Sequence, residues 1–261
     1  MPQGSVLSPT LYTIYTNDTE NSIRHLNISY ADDITQIIGY QGKSKNMLNR
    51  QSEREIKAIN RYETNWKIKT NINKFTPIHL GARKTIPLNI DDEEIEFKNY
   101  GKCLGLTLTP AGYYKHLEER RNIASATLRK IYRLYNMPEK IKIHLVKSLI
   151  LPIIEYPPIP THTMSKSQIN KLQKIQNRAL RFATNQRYPY TMTTKQIHEH
   201  TKTTPLNIRL HNRAKNIWDR LEELNLPVYQ DLKDRHNEIE KYHKDFPSSI
   251  QACTTIPAPI Y

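Results

Sequence analysis

Residues 27–38 read Asn-Ile-Ser-Tyr-Ala-Asp-Asp-Ile-Thr-Gln-Ile-Ile. Two β-prone runs flank a short acidic turn. Ile28 and Tyr30 lead in; Ile34, Thr35, Ile37 and Ile38 lead out. The pattern predicts a hairpin with Asp32 and Asp33 at its tip. Adjacent carboxylates repel, so the pair is comfortable only in water or around a cation. A hard ion such as Mg²⁺ takes carboxylate oxygens, while an ordinary turn also favours Asp. The hairpin alone leaves both readings open.

Composition narrows the choice. The chain has 261 residues and a formal net charge of +14, which points to a polyanionic partner such as nucleic acid. The two cysteines, Cys103 and Cys253, offer no disulfide framework and no Cys-rich zinc spacing. The apolar stretch at 148–154 is too short to span a bilayer, so no membrane partner is expected. Met1 to Gly4 has neither a basic nor an apolar leader character, and an intracellular chain is expected.

Outward from the hairpin, Pro2-Gln3-Gly4-Ser5 reads as a loop, and Ser8-Pro9 as the cap and first position of a helix through Tyr15. Residues 44–67 carry Ile56, Ile59, Tyr62 and Trp66 at helical spacing. Short β-like pieces follow at 67–72, 75–80, 86–90, 95–97 and 102–108, with Pro77 marking an edge. The acidic run 91–94 reads as a solvated turn. Beyond Pro110 the pattern is helical: 114–135, 139–156 with an interruption at Pro152, 165–183 capped by Ser165, 194–200, 205–224 and a charged segment at 231–244. His198 and His200 lie two apart, hence on different helix faces, and read as surface residues. The fold class is α+β, a mostly antiparallel sheet followed by helices.

Together these pieces resemble the reverse transcriptase domain of non-LTR, jockey-like retrotransposons. The resemblance rests on ordered motifs: Pro2-Gln3-Gly4-Ser5-Val6-Leu7-Ser8-Pro9, Tyr30-Ala31-Asp32-Asp33, Asn73-Lys74, Lys102-Cys103-Leu104-Gly105-Leu106, and Gln176-Asn177 with Leu180-Arg181. It implies a partial polymerase palm over 1–109, a helical thumb over 110–190, a C-terminal helical region over 191–247 and a flexible tail over 248–261. It implies RNA-directed DNA polymerase chemistry with Mg²⁺ or Mn²⁺, an RNA template, a DNA primer and deoxynucleoside triphosphates. Asp32 and Asp33 would ligate metal. Gln3 and Gly4 would line the nucleotide and template side, and Lys74 would protonate departing pyrophosphate. Leu104 and Gly105 would position the primer end. Lys171, Lys174, Arg178 and Arg181 would contact phosphates. A nuclear location follows from the resemblance only.

Some features depart from the pattern. The family needs a third carboxylate upstream of the Gln-Gly loop, and Asp18 and Asp91 stand in the wrong contexts to replace it. Cys103 replaces an aromatic residue, Tyr113 and Tyr114 occupy a region where Trp is common, and Ile34 replaces a smaller residue. The expectation is therefore a palm-and-thumb fragment with little activity by itself. The alternative is a decayed or co-opted nucleic-acid-binding remnant that catalyses nothing.

Overall fold

The computed structural model describes residues 5–17, 26–31, 33–38, 45–67, 75–80, 87–90, 93–156, 159, 164–225, 229, 230, 233 and 258–260. The chain divides into two compact units, Met1–Gly112 and Tyr113–Tyr261. The expected α+β character is present: small antiparallel hairpins in the first unit, helices in the second.

In the first unit, helix α1 spans Ser8–Thr16. Its N-cap is Leu7 rather than Ser8, because the Ser8 amide already donates to the Ser5 carbonyl (3.2 Å) and closes a turn one residue early. The expected hairpin follows, with β1 at Leu26–Tyr30 and β2 at Asp33–Ile37. Helix α2 covers Lys45–Trp66. Its Ile56 packs on Leu88, with Phe75, Ile95 and Phe97 around them. Two further hairpins are β3 (Leu88–Ile90) with β4 (Glu93–Ile95), and β5 (Gly101–Cys103) with β6 (Leu106–Leu108).

Three sequence expectations need correction here. Residues 102–108 form two short strands rather than one, because Leu104 and Gly105 both adopt positive φ (46° and 80°) and reverse the chain. Among the described residues the strands form three separate two-stranded sheets instead of one larger sheet. The expected strand at 75–80 is irregular backbone, and 68–72 lie outside the described residues. Pro77 lacks an amide donor, although its carbonyl accepts from the Lys98 amide at 2.8 Å.

The second unit comprises α3 (Tyr114–Ile131), α4 (Glu139–Leu145), α5 (Leu151–Glu155), α6 (Lys166–Ala183), α7 (Thr194–His200) and α8 (Leu206–Glu223). The interruption expected at Pro152 appears as a π-helical stretch, Val146–Ile150, between α4 and α5. Pro152 cannot donate back along the helix, and its ring crowds the preceding turn, so the helix widens upstream. Ser165 caps α6 as expected, within a reciprocal box with Gln168. Helix α6 packs on α3, α4, α7 and α8. Its inner side buries Leu172, Ile175, Ala179, Leu180 and Phe182, and the elements packed on it bury Leu128, Ile131, Val146, Ile150 and Leu210. Among the described residues, no helix is long and apolar enough to cross a membrane. The segment expected to be helical at 231–244 lies outside the described residues apart from Lys233. Of the expected tail, 258–260 are described, and Asn207 holds them: its Nδ2 donates to the Ala258 carbonyl (2.6 Å) and its Oδ1 accepts from the Ile260 amide (3.2 Å).

Candidate functional site

The acidic hairpin is held in strict register from Leu26↔Ile37 to Tyr30↔Asp33, which leaves a two-residue loop, Ala31 and Asp32. Ala31 takes φ 51°, the left-handed conformation that such a tight loop demands and that a Cβ resists. Asp32 lies outside the described residues, as do Gln3, Gly4 and Lys74. Asp33 opens β2 with its carboxylate exposed. Among the described residues, no three His, Cys, Asp or Glu side chains converge on a common point.

Alternation along β2 decides what flanks this turn. On the side of Asp33, Thr35 Oγ1 donates to Cys103 Sγ at 3.3 Å, so the β5–β6 hairpin lies against β2. From the opposite side, Gln36 Nε2 donates to Glu55 Oε2 of α2 at 3.3 Å. Cys103 adjoins Leu104 and Gly105. The structure thus brings the acidic hairpin and the expected primer-positioning hairpin together. Helix α1 is anchored to the end of α2: the Tyr15 ring meets the Trp66 ring edge-on at 5.1 Å, and Tyr15 Oη donates to the Trp66 carbonyl. Leu11 and Ile14 of α1 are exposed.

Gly105, at φ 80°, carries a testable consequence. Gly105→Ala is expected to cost about 1–2 kcal/mol, because the alanine Cβ meets the following carbonyl in this conformation. Urea unfolding measures it. A loss below a few tenths of a kcal/mol would show that the turn re-forms with other geometry.

In the second unit, Lys171, Lys174 and Arg178 lie three and four apart on α6 and share its exposed face. With Arg121, Asn122 and Ser125 of α3 they line a surface cavity of about 380 Å³. Arg121 is partly offset by Glu118, 3.3 Å away on the same helix. Arg181 is engaged elsewhere. Its Nη2 donates to Thr194 Oγ1 (3.1 Å), its Nη1 to the Met192 carbonyl (3.4 Å), and its guanidinium stacks on Tyr190 with 3.8 Å to the ring centre. Between Glu155 and Glu199 the sequence has no Asp or Glu but seven Lys and Arg. Such a run has nothing internal to neutralise it, and it favours a polyanion.

Residues 1–108 match the reverse transcriptase (RNA-dependent DNA polymerase) family. Over 241 residues the chain is 26% identical to "RNA-directed DNA polymerase from mobile element jockey" of Drosophila melanogaster, covering 85% of this chain and 25% of that protein. Over 234 residues it is 24% identical to "Probable RNA-directed DNA polymerase from transposon X-element" of the same organism, with the same coverage. The chain is homologous to the reverse transcriptases of non-LTR retrotransposons. It spans about a quarter of the length of the curated relatives it matches. No solved structure gives a significant match.

Sequence alone did not reveal the α3 contribution to the basic groove. Arg121 and Asn122 sit on a helix that carries charges of both signs, and nothing local marks them. It also misplaced His198, which is buried rather than at the surface. Nδ1 of His198 lies 2.7 Å from the Thr203 carbonyl, and Nε2 lies 2.9 Å from Asn177 Oδ1. Gln173 and Gln176 extend this buried network: Gln173 Oε1 accepts from the Leu206 amide (2.8 Å), and Gln176 Nε2 donates to the Thr204 carbonyl (2.9 Å). These polar residues sit on the inner side of α6 among Leu172, Ile175 and Ala179, and that periodicity was a readable signal. His200 faces solvent and pairs with Glu139 at 2.6 Å.

Burial holds the His198 pKa below its ordinary value, against the raising effect of the Thr203 carbonyl; burial also lowers His116 and His211. A depressed folded-state histidine is neutral in the fold while the unfolded chain takes up protons below about pH 6.5. Stability is therefore full above that pH and lost as pH falls through and below it. Urea unfolding at about pH 5.5 is expected to show a weaker fold than at about pH 7.5, with a smaller acid loss in His198→Asn. Equal stability at both pH values would contradict this.

Proposed function

We propose that this chain is the part of an RNA-directed DNA polymerase that presents the acidic turn to the reacting end and grips the template–primer duplex. The observation that carries the second half is the groove of Lys171, Lys174, Arg178 and Arg121, whose cations can track a phosphate backbone without reading sequence. The first half rests on the tight turn between Tyr30 and Asp33, next to the Leu104-Gly105 hairpin. Asp32 and Asp33 would hold Mg²⁺ or Mn²⁺. When bound, such ions polarise the transferred phosphoryl group and lower the pKa of the attacking hydroxyl. The protein's own contribution is positional. Leu104 and Gly105 steady the primer end, Gln3 and Gly4 leave room for template and incoming nucleotide, and Lys74 supplies a proton to departing pyrophosphate.

Mn²⁺ titration followed by paramagnetic relaxation of water tests the turn. Binding is expected in the chain as it stands and is expected to fall about ten-fold or more in the Asp32→Asn, Asp33→Asn double variant. Binding that survives both changes removes the turn from the reading. Primer extension on an RNA template by these 261 residues is expected at background, because the family's chemistry needs a third carboxylate. Mg²⁺-dependent extension abolished by Asp32→Ala would overturn that expectation.

A further inference from the structure

A second surface in the helical unit lies between α6 and α7. Tyr188 is 87% exposed and Tyr190 52% exposed, and their rings meet edge-on with centroids 5.8 Å apart. Neither hydroxyl has a hydrogen-bond partner among the described residues. Large aromatic rings left in water by a stiff loop need an explanation beyond folding.

The loop is held firmly. Asn185 takes φ 56° at the end of α6, and the Gln186 amide returns to the Arg181 carbonyl at 2.9 Å, a left-handed helix stop. Fully buried Lys142 locks that stop, donating to Asn185 Oδ1 and to the Tyr135 carbonyl (3.0 Å). Gln186 Oε1 then accepts from the Thr191 amide (3.2 Å), the Thr191 hydroxyl (2.8 Å) and the Met192 amide (3.2 Å). The two tyrosines are presented by this frame at little further entropic cost.

The surroundings are cationic. Arg181 stacks under Tyr190, and the Arg187 guanidinium lies 4.5 Å from the Tyr135 ring centre. The partner that fits has flat π-faces and negative charge. A duplex hides its base faces inside the stack, whereas an unpaired strand offers them. We propose that Tyr188 and Tyr190 form a stacking platform for unpaired RNA, distinct from the duplex groove of α3 and α6. The choice of RNA rests on the reading of this chain as a reverse transcriptase, whose template is RNA. The tyrosine hydroxyls, able to donate and accept, also suit a ribose 2′-hydroxyl.

The test uses the full chain and fluorescein-labelled oligonucleotides of about 12 residues, read by anisotropy. Tyr188→Ala with Tyr190→Ala is expected to weaken single-stranded RNA binding by about ten-fold or more, and to change RNA–DNA hybrid binding less than about two-fold. Tyr188→Phe with Tyr190→Phe keeps the ring faces and is expected to stay within about three-fold. Both positions are exposed, so the variants should fold, which circular dichroism verifies. Single-strand binding unchanged in the alanine variant overturns the platform, and a hybrid still bound in that experiment leaves the reverse transcriptase reading standing. Failure of the unaltered chain to bind either ligand overturns both. Single-stranded DNA of the same sequence bound as tightly as RNA overturns the assignment to RNA.

Discussion

Neutralising Lys171, Lys174 and Arg178 together, each to Gln, is expected to weaken binding to an RNA–DNA hybrid by on the order of 10²–10³-fold at about 0.1 M salt. Each phosphate contact releases roughly 0.9 counterion, which at that salt is worth roughly one logarithmic unit. The slope of log affinity against log salt should flatten by about 2.7 in the triple variant. The three side chains share an exposed face and point into one cavity with Arg121, so they act on the same stretch of backbone. Their removal leaves the inner side of α6 untouched, since Leu172, Ile175 and Ala179 face the core. Fluorescence anisotropy at several salt concentrations is the measurement. An affinity that barely responds to salt in the unaltered chain would sink the idea that this groove holds phosphates. Arg181 makes a contrasting control. Its guanidinium is spent on Thr194, Met192 and Tyr190, so Arg181→Gln is expected to disturb the loop after α6 more than duplex binding.

The largest effect on stability is expected at Glu155, the last residue of α5. Its carboxylate is fully buried and receives Arg209 Nε at 2.5 Å, Arg209 Nη2 at 3.2 Å and Arg213 Nη2 at 2.7 Å. The two arginines are four apart on α8, so one carboxylate ties α5 to two successive turns of that helix. Glu155→Ala removes this tie, opens a void and leaves two like charges facing each other. Breaking a buried pair costs about 3–5 kcal/mol, and the lower end applies because both arginines reach solvent in part. For a unit of this size that corresponds to a fall in melting temperature of roughly 10 °C. Glu155→Gln keeps the shape and one acceptor and should lose less. A change below about 1 kcal/mol in Glu155→Ala would mean that the arginines find equal partners in water.

The sequence by itself determined what depends on neighbours along the chain. The acidic hairpin was legible because β-prone runs flank a short acidic turn; the register, with Asp33 paired to Tyr30 in β2, is what the structure adds. The start of α6 was legible because Ser165 and Gln168 satisfy each other's backbone amides within four residues. The interruption at Pro152 was legible because a missing amide donor is a local defect. The family resemblance was legible for the same reason, since its motifs are short and occur in order.

What only the tertiary structure decided depends on residues far apart in sequence. Thr35 meets Cys103 across 68 positions, and this is what sets the acidic turn beside the Leu104-Gly105 hairpin. Arg121 joins Lys171, Lys174 and Arg178 only because α3 packs on α6. His198 read as a surface residue because it lies two positions from His200, on a different helix face; α6 and the Thr203 carbonyl, brought over it, bury it. Spacing along a chain reports which face a side chain is on, and packing alone reports what covers that face.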